Sequence, residues 1–320
     1  METSSSSAAS SAARRWLAAA LLAHTGWGAY PVLARYLQTV SNLPSMSLLA
    51  TSMTAAALFT ALTTRPRVRY LLRQPLMTAL VLVVMVRAVT NLLAARFAPA
   101  VYVQLVTLGT PWVVALLSWL FFREPAPRYT GRTALVGTVG AGLILSAQVA
   151  SRAATPTWDA RSLLGLGLAG VSTLSLALYM LLVRRSRHHR WRGDEVFLVQ
   201  SVGVLAVGWG ASLALREDWS PWLRLRWQDG LVFAAFAGLI LYGANRLQIA
   251  ALQRVGARAV SSLLPWRMVA VLVIGFVLLG ERLTAVRQGV GVALVMAALW
   301  WYLWKGGDTS SPSRAAGRLS

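Results

Sequence analysis

The sequence contains no cysteine and few side chains that carry negative charge. Its 320 residues include 10 Asp+Glu and 3 His, against 31 Lys+Arg. The lack of cysteine excludes disulfide bonds, thiolate metal ligands and cysteine nucleophiles. Three histidines cannot by themselves build the usual multi-histidine zinc site. We therefore predict neither a metal site nor a cofactor.

Charge of either sign is also scarce. Charged residues make up 13% of the chain and apolar residues 57%, whereas soluble domains are about 25% charged. A soluble domain of this size would need more charge to coat its surface, and a disordered chain would be far less apolar. Both classes are excluded for most of the chain.

The net charge of +21 would by itself suggest a nucleic-acid partner. The arginines, however, occur in short clusters between long apolar runs, and they form no continuous basic face. We therefore expect a lipid bilayer and a small-molecule substrate as partners, and no nucleic acid.

Long apolar windows account for most of the sequence. A helix needs about 20 apolar residues to cross a hydrocarbon core of about 30 Å. Ten windows meet this requirement, and they predict an all-α integral membrane protein with ten transmembrane helices. The windows are Trp16–Leu37, Met46–Leu62, Leu76–Phe97, Ala100–Phe122, Thr130–Val149, Leu163–Val183, Val196–Leu215, Leu231–Ala251, Ala257–Gly280 and Ala285–Trp304.

The basic residues indicate how these spans are oriented. With the N-terminus inside, 19 basic residues fall in inside segments and 9 in outside segments, while Arg87, Arg246 and Arg267 fall within spans. Because inside loops are enriched in Lys and Arg, we predict an inner-membrane protein with both termini in the cytoplasm. The Ser/Ala-rich residues 1–15 and residues 305–320 are then cytoplasmic tails.

The chain also repeats itself. The stretch from Ala100 to Glu124 resembles the stretch from Ala257 to Glu281, with a constant offset of 157 residues. The repeats, residues 16–149 and 163–304, hold five spans each, and an odd number places the second half upside down relative to the first. Inverted repeats are typical of secondary transporters, which bind substrate near the midplane between the halves.

Three short motifs carry a resemblance to a known family. They are Trp27-Gly28-Ala29-Tyr30-Pro31-Val32, Leu252-Gln253-Arg254-Val255-Gly256-Ala257 and Leu278-Leu279-Gly280-Glu281-Arg282-Leu283-Thr284. Together they resemble the EamA-type members of the ten-helix drug/metabolite transporter superfamily, over nearly all of Trp16–Trp304. The resemblance implies a transporter rather than an enzyme. This sequence departs from the family pattern at Arg267, where glutamate is frequent, and at Met268, where proline is frequent.

Polar residues inside the predicted spans are the candidate substrate ligands. Arg87 and Arg267 lie about halfway along spans three and nine, and no Asp or Glu lies in any span. A buried guanidinium costs several kcal/mol unless it is paired or hydrated, so we predict a hydrated cavity for an anionic or zwitterionic substrate. Backbone carbonyls or snorkelling are the alternative explanation, which is favoured for Arg246. The predicted cavity residues are His24, Arg87, Asn91, Gln104, Tyr242, Asn245 and Arg267.

Two kinds of titratable residue have more than one interpretation. His24 is the one group within the windows that titrates near neutral pH, and it fits packing, substrate contact or proton relay. Glu124 and Glu281 follow spans four and nine; we expect each to cap the next helix and pair with Arg128 or Arg282.

The residues and the resemblance together predict a secondary transporter that exports a small polar metabolite. An amino acid or a related carboxylate is the expected substrate. The alternatives are a nucleotide-sugar or phosphate-ester antiporter and, more remotely, a non-transporting membrane protein or an intramembrane enzyme. Because the spans lack carboxylates, we expect facilitated exchange or weak pH dependence.

Overall fold

The computed structural model describes residues 3–64, 70, 73–123, 130–146, 149–150, 159–185, 191–251 and 264–305. Within these ranges the regular secondary structure is helical except for one pair of two-residue strands. The antiparallel strands are β1, Val149–Ala150, and β2, Arg282–Leu283. The helices are α1 Thr3–Thr39, α2 Ser45–Thr64, α3 Pro75–Phe97, α4 Ala100–Leu108, α5 Thr110–Phe122, α6 Thr130–Leu145, α7 Ala160–Arg185, α8 Gly193–Ala214, α9 Ser220–Leu223, α10 Trp227–Ala251, α11 Trp266–Leu279 and α12 Val286–Lys305.

Every predicted window overlaps a helix, and window four overlaps both α4 and α5. Among the described residues, six helices are long and apolar enough to cross a membrane: Ser45–Thr64, Pro75–Phe97, Ala100–Phe121, Ala160–Leu182, Gly193–Ala214 and Trp227–Ala251. Three shorter apolar helices are Gly131–Leu145, Trp266–Leu279 and Val286–Trp301. A nearly all-helical integral membrane protein is thus confirmed, whereas the count of ten spans and their inversion stay predictions.

Hydroxyl side chains in α2 bond to the backbone of their own helix. The side chains of Ser52, Thr54 and Thr60 each donate a hydrogen bond to the carbonyl four residues earlier. Since lipid offers no hydrogen-bonding groups, this internal bonding lets a helix with several polar residues cross the hydrocarbon layer.

The helices pack in pairs across the bundle. α3 packs on α7, α6 on α12, α2 on α8, and α1 on both α10 and α11. Glycine allows the closest approaches: a Cβ added at Gly140 would lie 2.8 Å from the Gly291 carbonyl oxygen, and one at Gly165 would lie 2.8 Å from the Ala98 nitrogen. By contrast, a Cβ at Gly142 would meet nothing within 4 Å. Small residues thus set the α6–α12 and α3–α7 contacts.

Two described spans depart from a regular α-helix: residues Ala235–Ala244 within α10 form a π-helix, and window four is divided at Gly109. Window four breaks at Gly109 into α4 and α5, because Pro111 lacks an N–H and its ring clashes with the carbonyl four residues before it. Window nine was expected to be helical from Ala257. Residues 257–263 lie outside the described residues, residues 264–265 form a turn, and α11 begins at Trp266, directly after Pro265. Gly109 and Trp266 are related by the 157-residue offset of the repeat. Arg267 therefore lies in the first turn of α11, whereas the sequence placed it halfway along a helix.

Candidate functional site

The indole of Trp27 lies at the centre of a cluster of cations. The Arg87 guanidinium carbon of α3 is 5.0 Å from the centroid of this ring, and that of Arg267 of α11 is 5.8 Å from it. Three helices thus bring two positive charges to one aromatic side chain. Cation–π attraction offsets part of the hydration that each guanidinium loses.

His24 lies about one turn before Trp27 on α1 and holds Arg267 in place. Arg267 Nε donates a hydrogen bond of 2.8 Å to His24 Nδ1, and both residues are almost completely buried. A nitrogen that accepts this bond carries no proton, so His24 is neutral with its proton on Nε2. The partners of Arg267 are an imidazole and an indole, instead of the backbone carbonyls considered from the sequence.

Arg87 faces polar groups of neighbouring helices. The buried Tyr30 hydroxyl lies beside the Arg87 guanidinium and the Asn91 amide, and the Tyr179 phenol of α7 also faces Arg87. The Arg87 side chain is partly accessible, unlike that of Arg267. These groups form a polar lining around the Arg87 guanidinium.

The cluster carries positive charge without an acidic partner. In the part of the chain that the structure describes, neither Arg87 nor Arg267 has a carboxylate within ion-pair distance. The buried indole N–H of Trp27 likewise has no acceptor among these residues. Two guanidiniums and an unpaired N–H donor are chemically suited to hold an anion.

Helix geometry gives the depth of the cluster. Counting along α1, α3 and α11 at a rise of 1.5 Å per residue, the four residues His24, Trp27, Arg87 and Arg267 lie about 15–22 Å from the last residues of these helices. Those residues, Thr39, Phe97 and Leu279, mark one end of the bundle, which we call the Glu281 end. In a core of about 30 Å, this depth is near the middle.

The other predicted cavity residues have their described contacts outside this cluster. Gln104 is about 6 Å along α4 from the Glu281 end; it is buried, and its amide nitrogen has no partner among the described residues. Asn245 donates to the Leu241 carbonyl of its own helix at 2.9 Å. The Tyr242 hydroxyl contacts Arg246 and Thr63. The structure thus brings together His24, Arg87, Asn91 and Arg267, and whether they bind a substrate stays a prediction.

The opposite end, which we call the Asp194 end, has its own cluster. Arg246 was expected to snorkel, and its half-exposed side chain pairs with Asp194, in the first turn of α8, at 3.1 Å. Its guanidinium also donates to the Tyr242 hydroxyl, which lies 3.2 Å from the Thr63 hydroxyl. This network connects α2, α8 and α10.

A buried ion pair at the Glu281 end was not predicted from the sequence. Arg35 of α1 lies 3.6 Å from Glu281 and donates a 2.6 Å bond to the Ala98 carbonyl. The Glu281 carboxylate also accepts bonds from the backbone N–H groups of Ala100, at 3.0 Å, and Val101, at 3.3 Å. Burial raises the pKa of the Glu281 carboxyl, while Arg35 and these N–H groups oppose the shift.

This geometry corrects the role expected for Glu281. The carboxylate caps α4 instead of the helix that follows it, because the α3–α4 link is folded against it and presents unpaired N–H groups. Its partner is Arg35 and not Arg282, which lies over the Phe276 ring at 5.1 Å. Arg35, counted from the sequence as an outside charge, is buried. Glu124 and Arg128 lie outside the described residues.

Comparison with known proteins identifies the class of the chain. Helices of membrane-spanning length make it a multi-pass membrane protein. The model of the EamA-like transporter family matches residues 14–146, which confirms the family resemblance over the first predicted repeat. That family is part of the drug/metabolite transporter superfamily of membrane transporters. The match ends at residue 146, so the resemblance of the second repeat stays a prediction.

Solved structures support the fold alone. Fourteen chains match, and one, a crystal structure of a protein, is 18% identical with a TM-score of 0.58. The alignment covers 90% of this chain and 96% of that chain. No curated protein matches the sequence.

Proposed function

We propose that this protein is a secondary transporter that moves a small anionic or zwitterionic metabolite, an amino acid or a related carboxylate, by alternating access. Export is the direction we propose. One observation carries the substrate class: Arg87 and Arg267 share the indole of Trp27, and neither has a carboxylate partner among the described residues.

A carboxylate substrate would complete this arrangement. Each guanidinium can donate two parallel hydrogen bonds to a carboxylate, which is a charge-assisted and geometrically specific contact. The attraction is stronger than in water, because the effective dielectric inside a protein is lower. A bound anion would also relieve the repulsion between the two arginines.

The break in window four and the start of α11 support alternating access. The break at Gly109 and the start of α11 at Trp266 occupy equivalent places in the two predicted repeats. Discontinuous helices flank the substrate in inverted-repeat transporters. Here α11 begins one residue before Arg267, so a movement of α11 would shift this side chain relative to a bound substrate.

Each end of the bundle has an ion pair that could close the path from the central cluster to that side of the membrane. At one end, Glu281 in the loop after α11 pairs with Arg35 of α1 and accepts a bond from the first residue of α4. At the other end, the Arg246–Asp194 pair connects α10 with α8 beside Thr63 of α2. In our proposal these contacts separate in turn, so that the central cluster opens to one side at a time.

A phosphate-ester or nucleotide-sugar antiporter is the second candidate. The observation that favours it is the proximity of two guanidiniums, since a phosphate monoester carries up to two negative charges. Both candidates use the same pair of arginines and differ in the ligand that fills the site.

Counterflow in proteoliposomes tests the proposal and separates these candidates. Purified protein is reconstituted, and vesicles are preloaded in turn with an amino acid mixture, dicarboxylates, phosphate esters or organic cations. We expect labelled carboxylate or zwitterion to accumulate only in vesicles preloaded with the same class. Accumulation with phosphate esters alone would favour the second candidate. Accumulation with cations alone, or with none of the solutes, would contradict the proposal.

A further inference from the structure

The segment of residues 219–227, between α8 and α10 at the Glu281 end, is fixed to the protein along one face. Trp222 Nε1 donates a 3.0 Å hydrogen bond to the Ser47 hydroxyl of α2, and its ring meets Phe233 edge-on at 5.2 Å. Trp219 stacks on Trp209 with ring centroids 5.2 Å apart. The segment therefore has a defined outward face.

That outward face carries large apolar side chains. The Leu223 side chain is 90% exposed and that of Trp227 is 74% exposed. Leu231, one turn after Trp227 on α10, is also exposed, as is Leu213 near the end of α8. Because α8 and α10 are long and apolar enough to cross the membrane, this surface faces lipid, and residues 219–227 extend it beyond the helix ends.

The exposed apolar residues alternate with positive charge. Arg224 follows Leu223, and Arg226 precedes Trp227; both arginines are exposed. Tryptophan concentrates at the boundary between acyl chains and head groups, and arginine pairs with lipid phosphate while its stem lies on apolar surface. A segment with both features on one face is chemically matched to that boundary and poorly matched to water.

We propose that residues 219–227 lie in the phospholipid head-group layer at the Glu281 end. Leu223 and Trp227 enter the acyl boundary, and Arg224 and Arg226 contact lipid phosphates. Through the hydrogen bond between Trp222 and Ser47, this segment fixes the N-terminal end of α2 relative to the membrane surface. The proposal does not depend on the substrate or on transport.

Single-cysteine labelling tests this placement without background, because the chain has no cysteine of its own. Leu223→Cys and Trp227→Cys are spin-labelled and reconstituted in vesicles of phosphatidylcholine and phosphatidylglycerol. Gln228→Cys is the matched control, since Gln228 follows Trp227 directly and lines a polar surface depression with Arg224, Arg226 and Asp229. Collision rates with oxygen and with a neutral nickel chelate report depth.

We expect the labels at positions 223 and 227 to collide several-fold more with oxygen than with nickel, and the label at 228 to show the reverse. Equal nickel access at all three positions would overturn the proposal. The label at position 223 could also be protected from nickel in vesicles but accessible to nickel in nanodiscs that hold one protomer. That result would overturn the proposal, because it would show that a second copy of the protein covers this face.

A second measurement tests the phosphate contacts. In the Leu223→Cys background, Arg224→Gln with Arg226→Gln should move the label toward water in vesicles rich in phosphatidylglycerol. Retention of one monodisperse peak in detergent controls for folding. An unchanged depth in the double-arginine variant would contradict the phosphate contacts.

Discussion

At the scale of the residue, Trp27 explains how two arginines occupy the middle of an apolar bundle. A guanidinium is planar and more weakly hydrated than an ammonium group, so it loses less when it stacks on an aromatic face. Arg87 and Arg267 both use the same indole. The sequence indicated both arginines by their position within apolar runs. It could not indicate Trp27, because an aromatic residue in a helix is commonly a packing residue.

Replacing His24 tests its role as the acceptor for Arg267. In His24→Ala the buried Arg267 Nε–H loses its partner, and we expect a loss of about 1–3 kcal/mol in the free energy of unfolding. His24→Gln retains a carbonyl oxygen as an acceptor and should lose less. Denaturant unfolding of both variants in detergent measures the difference. Equal stability of His24→Ala and the parent protein would contradict the hydrogen bond.

The same contact bears on proton coupling. Protonation of His24 Nδ1 would remove the acceptor and place a second positive charge beside Arg267, so His24 is poorly placed to gain a proton while the cluster is intact. We expect flux to depend weakly on an imposed pH gradient. A steep proton dependence that survives His24→Ala would contradict this account of the site.

At the scale of the element, the length of the apolar windows predicted where helices lie but not where a helix is interrupted. All ten windows overlap helices because roughly 20 consecutive apolar residues have few other ways to satisfy their backbone in a membrane. The break of window four at Gly109 was missed, since hydropathy continues through it. The partners of Glu281 were also missed, because they come from chain segments about 180 to 250 residues away.

The Arg35–Glu281 pair should be needed for the stability of the Glu281 end. Glu281→Gln leaves the buried Arg35 guanidinium without a counter-charge, and removal of one partner of a buried pair costs about 3–5 kcal/mol. Replacement of both partners, Arg35→Met with Glu281→Gln, should recover part of this loss. Thermal unfolding of the single and double variants gives the coupling. Additive losses would show that the two side chains do not interact.

The glycine contact between α6 and α12 predicts a matched pair of variants. A methyl group at Gly140 would lie 2.8 Å from the Gly291 carbonyl oxygen, so Gly140→Ala should separate the helices and lower stability by about 1–3 kcal/mol. Gly142→Ala on the same helix meets nothing within 4 Å and should be neutral or slightly stabilising. Thermal shifts in detergent compare them, and equal effects would contradict the packing described for α6.

At the scale of the whole molecule, the distribution of charge suggests the orientation in the membrane. The bias of 19 to 9 compares basic residues assigned to inside segments with those assigned to outside segments. Because Arg35 is buried, it no longer belongs to the outside count. The correction strengthens the prediction that the Glu281 end faces outward. The described residues hold six helices of spanning length, which leaves the full count of spans to be tested.

Reporter fusions test the orientation. Fusions after Ser41 should report an outside location, and fusions after Arg69 or His189 an inside location, because the basic clusters of the chain lie near the latter positions. Alkaline phosphatase and green fluorescent protein activities distinguish the two sides. Outside locations at both Arg69 and His189 would contradict the ten-span topology with both termini inside.

The central claim is that Arg87 and Arg267 together bind an anionic substrate, and the most direct measurement is the substrate affinity of their lysine variants. Loss of one charged hydrogen bond costs about 1.5–3 kcal/mol, so Arg87→Lys and Arg267→Lys should each bind roughly 10- to 100-fold more weakly while remaining folded. Arg282→Lys is the control, because Arg282 also stacks on an aromatic ring but is exposed and away from the cluster. Native affinity in both lysine variants of the cluster would contradict the account.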